Sequence, residues 1–106
     1  MTTATVHVEQ SGPDRVVLRL TGEIDMENAQ VVEAELSRAV SNRAVSVTLD
    51  CRELGYLDSA GLRILFTFAD RLALLQIGLD MLVPPRSPIR RAIELSGLDT
   101  VVEVRS

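Results

Sequence analysis

The stretch "VTLDCRELGYLDSAGLRIL", residues 47–65, decides how this chain folds. Together with Val45, its opening residues Val47 and Leu49 alternate with polar neighbours, which is the period of a half-buried strand. "CRELGYL" (51–57) then reads as a loop. "DSAG" (58–61) follows, and after it an apolar run with helical spacing continues to about Gln76, with Gly78 as the predicted break. The point to explain is Ser59, set between a carboxylate and a near-glycine turn where a helix should start.

Four roles are open to that serine: helix cap, nucleophile, anion site or switch. Asp and Ser are both strong N-cap residues, each contributing about 1 kcal/mol. One cap suffices, however, and both Asp58 and Ser59 are present. A hydrolase elbow needs glycine two before and two after its serine. Gly61 fits the second position, but Leu57 occupies the first. The one histidine, His7, falls in a predicted strand, so no catalytic base is at hand. The glycines match neither a P-loop nor a dinucleotide fingerprint. No spaced carboxylate pair suggests acid–base chemistry.

The helix that Ser59 opens carries Leu62, Ile64, Leu65, Phe66, Phe68, Ala69 and Leu72 through Leu75 around most of its surface. Its polar stripe is Arg63, Thr67, Asp70 and Arg71. A surface helix ordinarily shows a wider polar face. Burial is the expectation for its C-terminal half, and a partner face for the region of Leu62 and Phe66. A phosphoryl group on an exposed Ser59 would add about −1.5 to −2 charges. Asp58 would repel it, as would Asp25 if residues 22–25 lie nearby. Such a charge changes binding without unfolding the protein.

Working outward, "TVHVEQ" (5–10) and "RVVLRLTG" (15–22) are strands joined by the turn "SGPD" (11–14), and predict a hairpin. Met26, Ala29, Val32, Leu36, Ala39 and Val40 follow helical spacing over 26–40, with Asp25 as the predicted N-cap and Ser41 and Asn42 as its end. "LDMLV" (79–83) is a short strand. Ser87 caps a third helix with Pro88 in its first position, and Ile89, Ala92, Ile93 and Leu95 line it. Gly97 is the predicted left-handed C′ residue, with Leu98 closing the end, and "TVVEV" (100–104) is a last strand. The order β-β-α-β-α-β-α-β implies an α/β fold: a mixed sheet of four to five strands with three to four helices mainly on one face.

The 106 residues predict one domain, spanning 1–106. A chain of this size buries roughly two thirds of its unfolded surface. With only Phe66, Phe68 and Tyr56 as aromatics, the core must be aliphatic. The net charge of −4 and the absence of any basic cluster beyond Arg90–Arg91 argue against a nucleic-acid footprint. All eleven basic residues are arginine, which reads as codon bias. A single cysteine, Cys51, excludes an internal disulfide and predicts a reduced, cytoplasmic setting. No segment predicts a membrane span or signal peptide.

"LTGEIDMENA" (20–29), "VTLDCRELGYLDSAGLRIL" (47–65) and "SPIRRAIELSGLDTVVEV" (87–104) together resemble the STAS domain, in its stand-alone form as an anti-sigma factor antagonist. The resemblance runs from about Thr5 to Val104, and "LDSAGL" is its most specific part. It implies a non-enzyme that binds a cognate anti-sigma factor, a GHKL-type serine kinase, and so frees a sigma factor. Phosphorylation at Ser59 would switch binding off, and a serine phosphatase would reset it. The implied partner-binding residues are Asp25, Asp58, Ser59, Ala60, Gly61, Leu62, Arg63 and Phe66. No cofactor, metal, nucleic acid or membrane is implied, and the protein would be a monomer or weak homodimer. Ala60 departs from a frequent second hydroxyl residue, leaving Ser59 alone in the motif. "LALLQIG" (72–78) is more apolar than the pattern, which leaves room for a dimer contact. The same domain also serves as a stressosome-like scaffold subunit, as a soluble component of a lipid transporter, or as a nucleotide sensor.

Overall fold

Alternating valine and leucine build the centre of a five-stranded sheet. The structure, a computed structural model, describes residues 2–10, 12–41 and 43–106. The predicted turn residue Ser11 and helix-end residue Asn42 lie outside these. Strands β1 (Ala4–Gln10) and β2 (Arg15–Ile24) form the predicted antiparallel hairpin, with Val8 opposite Leu18. Helix α1 (Ala29–Ala39) leads to β3 (Ser46–Leu57), α2 (Ser59–Leu74) to β4 (Gly78–Leu82), and α3 (Pro88–Ser96) to β5 (Glu103–Arg105). The sheet order is β1-β2-β3-β4-β5, and every pairing after the first is parallel. Three crossovers running in one direction place the three helices on one face.

That face is dry. Val16, Leu18 and Leu20 of β2, Val47 and Leu49 of β3 and Met81 of β4 are buried beneath Val32 and Leu36 of α1, Phe68 and Leu72 of α2, and Ile89 and Ile93 of α3. The alternate residues form a polar face. Arg19 pairs with Glu9 and Glu53, Asp50 with Arg52, and Asp80 with Thr48 and Arg105.

Five expectations are corrected. Residues 51–57 are not a loop but the upper half of β3. Between Arg19 and Thr21, and again between Gly22 and Glu23, β3 advances one residue more than its partner β2. These two bulges change the buried positions from every second residue to Cys51, Leu54 and Leu57, which hides the strand period. Gly22, at φ +88, sits at this irregularity, where any Cβ would meet the carbonyl of Thr3.

The first helix begins at Ala29, not Met26. Asp25 instead closes an Asx turn over residues 25–28, and Met26 is 81% exposed. The second helix is ended by Gln76, not Gly78. Gln76 takes the left-handed φ of 59°, and the Ile77 N–H returns to the Leu72 carbonyl at 2.9 Å. Finally, residues 98–100 form one 3-10 turn, pinned by buried Leu98 after Gly97 at φ 83°, so the last strand starts only at Glu103. Leu95, predicted on the inner face of α3, is exposed.

Candidate functional site

The site grows from the carboxyl ends of β2 and β3, which run parallel and side by side. Each passes into a helix, and the two turns are tied together: the Asp58 N–H donates to the Ile24 carbonyl at 3.3 Å. Residues 22–25 therefore do lie beside the serine.

In the first turn, the Asp25 carboxylate accepts from the Glu27 N–H at 2.8 Å and from the Thr2 hydroxyl at 2.6 Å. Asn28 accepts the Asp25 N–H at 3.0 Å and donates to the Glu23 carbonyl at 2.9 Å. The Thr2 hydroxyl, with the Glu27 and Asn28 backbone contacts, holds the Asp25 carboxyl below the usual carboxylate range. It is a charged group in a fixed frame.

In the second turn the capping question is answered. Asp58 is the N-cap, its Oδ1 accepting the Gly61 N–H at 3.0 Å while its carbonyl accepts the Leu62 N–H at 2.9 Å. Ser59 is the first helical residue. Its side chain is exposed and its hydroxyl has no hydrogen bond among the described residues. The aspartate does the structural work that the serine could have done.

Gly61 is buried, beneath the surface of the turn. A Cβ there would meet Leu57 Cδ1 at 2.5 Å, Ile24 Cγ2 at 3.1 Å and the Ile24 carbonyl at 3.3 Å. Glycine lets the first turn of α2 press directly on the ends of both strands. Ala60, Leu62 and Phe66 are half-buried against the core, whereas Arg63 is exposed. The largest apolar exposure on α2 lies at its other end, where Leu74 is 85% exposed and Leu75 also faces out. Phe68, Ala69 and Leu72 are buried as expected of its C-terminal half, and the expectation fails only at this last turn.

A cleft of about 410 Å³ opens between the starts of α1 and α2, with Met26 and Gln30 on one wall and Asp58, Ser59 and Arg63 on the other. Met26 and Gln30 were not singled out from the sequence. Met26 matched the helical apolar period, and only the Asx turn frees it to point outward. His7 lies on β1 in register with Arg19, on the polar sheet face away from the helices, so it cannot serve Ser59 as a base. Burial pushes the Cys51 thiol up to about 12, with the Asp50 charge adding to it, so this cysteine is inert in the folded state. Among the described residues there is no cluster of His, Cys, Asp and Glu that could hold a metal, and no helix is long and apolar enough to cross a membrane.

Ser59 thus stands free on the first turn of α2, beside the capping Asp58 and the turn that holds Asp25. The chain belongs to the STAS domain family, whose model matches residues 5–106. It is 34% identical over 85 residues to BtrV of Bordetella bronchiseptica, named as an anti-sigma factor antagonist, covering 80% of this chain and 72% of BtrV. An anti-sigma factor antagonist from Mycobacterium paratuberculosis superposes with a TM-score of 0.84 at 27% identity, over 97% of this chain and 86% of that one. The Bacillus cell fate determinant SpoIIAA in its phosphorylated form shares the fold at a TM-score of 0.70 and 22% identity, over 96% of this chain and 92% of that one.

Proposed function

We propose that this protein is a partner-switching anti-sigma factor antagonist whose switch is Ser59. Unphosphorylated, it docks on an anti-sigma factor through the surface around Asp25, Met26, Asp58, Ser59 and Arg63, and the sigma factor is released. The anti-sigma factor is itself a serine kinase. It transfers the γ-phosphoryl group of ATP to Ser59 Oγ, the hydroxyl proton is lost and ADP departs. A serine phosphatase hydrolyses the ester and restores the binding form.

One observation carries the reading: the Ser59 hydroxyl is free and exposed while Asp58 already caps the helix. A phosphate there breaks no hydrogen bond of the fold, and it brings close to two negative charges against a docked partner. The naming of BtrV and the mycobacterial protein supports the partner class. The shared fold of phosphorylated SpoIIAA supports a scaffold that tolerates the modification.

The test is recovery of bound proteins from the native lysate on wild type and on Ser59→Ala, with modification of Ser59 read by mass spectrometry. An ATP-binding serine kinase enriched on the alanine variant, phosphate on wild-type Ser59, and weak binding by Ser59→Glu are the expected results. Equal affinity of all three forms for that kinase would sink the proposal. Transporter subunits or a large scaffold bound to an unmodified serine would assign the domain to another STAS role.

A further inference from the structure

We infer that Arg63 is a built-in counter-ion for a phosphate on Ser59, holding it within the cleft between α1 and α2. The inference rests on the reading of Ser59 as the phosphorylated residue and adds the group that receives the charge.

Ser59 and Arg63 are four residues apart on α2 and both line the cleft. At that spacing their Cβ atoms lie about 6 Å apart on one helix face. Helical side chains lean toward the N-terminus, so the Arg63 stem leans over the turn that carries Ser59. Arg63 is also free. It makes no ion pair among the described residues, and the positions three and four away along the helix hold Ala60, Phe66, Ser59 and Thr67, none of them acidic. Other arginines of this chain, Arg19, Arg52 and Arg105, are engaged with carboxylates.

At the helix start the Ser59 and Ala60 N–H groups have no acceptor among the described residues, but the next two are engaged. The Gly61 N–H is taken by the Asp58 carboxylate and the Leu62 N–H by the Asp58 carbonyl. Among the described residues, the carboxylates nearest the serine are Asp58 beside it and Asp25 and Glu27 in the adjoining turn. Asp25 and Glu27 are occupied by Thr2, through its hydroxyl and its backbone N–H. Among the described residues that line the cleft, Arg63 is the one cation, and its guanidinium has a fork geometry suited to phosphate oxygens.

The experiment installs phosphoserine at position 59 by genetic code expansion, so that it needs no kinase and is independent of whether the cellular partner is the one proposed. The second ionisation of the phosphate is then titrated by 31P NMR in the wild-type background and in Arg63→Gln. The acidic neighbours act equally on both proteins, so the difference isolates Arg63. A phosphate pKa lower in the wild type by about 0.3 unit or more is expected for an i, i+4 pair of this exposure. A smaller difference, or one of opposite sign, overturns the inference. Arg63 is exposed, so the substitution leaves the fold in place, which the amide spectra of the same samples verify.

Discussion

The Asp58 carboxylate holds the Gly61 N–H at 3.0 Å, three residues into the turn, and the residue between them that could have competed for this role, Ser59, takes no part. The cap and the free hydroxyl are thereby separated onto adjacent residues, and the separation is measurable. Asp58→Ala should lower stability to urea by about 1 kcal/mol through the lost cap. Ser59→Ala should change it by less than about 0.5 kcal/mol, as expected of a surface position. Comparable losses for the two would mean that the serine shares the capping.

Gly61→Ala should destabilise the fold by about 1–2 kcal/mol. Alanine favours a helix by about 1 kcal/mol over glycine, but the new methyl must displace Leu57 and push on the Ile24 carbonyl. Equilibrium unfolding of the variant, combined with chemical shifts at Ile24 and Leu57, would register both effects. A stabilised variant would show that the turn has room to spare.

Asp50 gives the stability a pH signature. It is only 6% exposed, and it receives two bonds from the Arg52 side chain, at 2.9 and 2.8 Å. The hydrogen-bonded Arg52 side chain holds its carboxyl below the ordinary 3.8, against the opposing effect of burial. A group with a lowered folded value stabilises the protein in its ionised form. The contribution is fully present above 3.8 and is lost as the pH falls through the folded value. Asp50→Asn should therefore cost about 1 kcal/mol at neutral pH, modest because Arg52 stays largely solvated. The gap to wild type should close in acid. Thermal unfolding of both proteins across that range is the check, and a gap that widened toward low pH would contradict it.

Gln76 pays a local conformational cost, since its left-handed backbone is one that side chains with a Cβ disfavour by about 1–2 kcal/mol. Gln76→Gly should raise the unfolding free energy by about 1 kcal/mol, the reverse of glycine's usual effect at a helix. Loss of stability would mean that the Gln76 side chain makes a compensating contact.

Where local chemistry and tertiary context agree, the sequence was readable. Ser87 accepts the Arg90 N–H at 3.1 Å, Pro88 opens α3, and Gly97 closes it in the left-handed conformation, as their residue types require. The hairpin followed from two apolar-patterned strands around turn residues, and the lower half of β3 from clean alternation. What failed depended on partners distant in sequence. Residues 51–57 carry no strand period because the bulges are defined only against β2. Asp25 is an equally good residue for an Asx turn or an N-cap, and its bond to Thr2 spans 23 positions. Ser59 itself stood out at once, but its freedom became visible only when Asp58 was seen to cap the helix. Arg63 appeared as part of a polar stripe until the cleft placed it with the serine.

The two bulges of β3 also set a reading frame. Each lets one residue of this strand pass without a counterpart. Deleting one residue between Cys51 and Leu54 would erase the first bulge and restore plain alternation, with Leu54 still facing the core opposite Gly22. The bulges are therefore slack in that frame, and the pairing of Leu57 with Ile24 is what brings Ser59 to the tip of the strand.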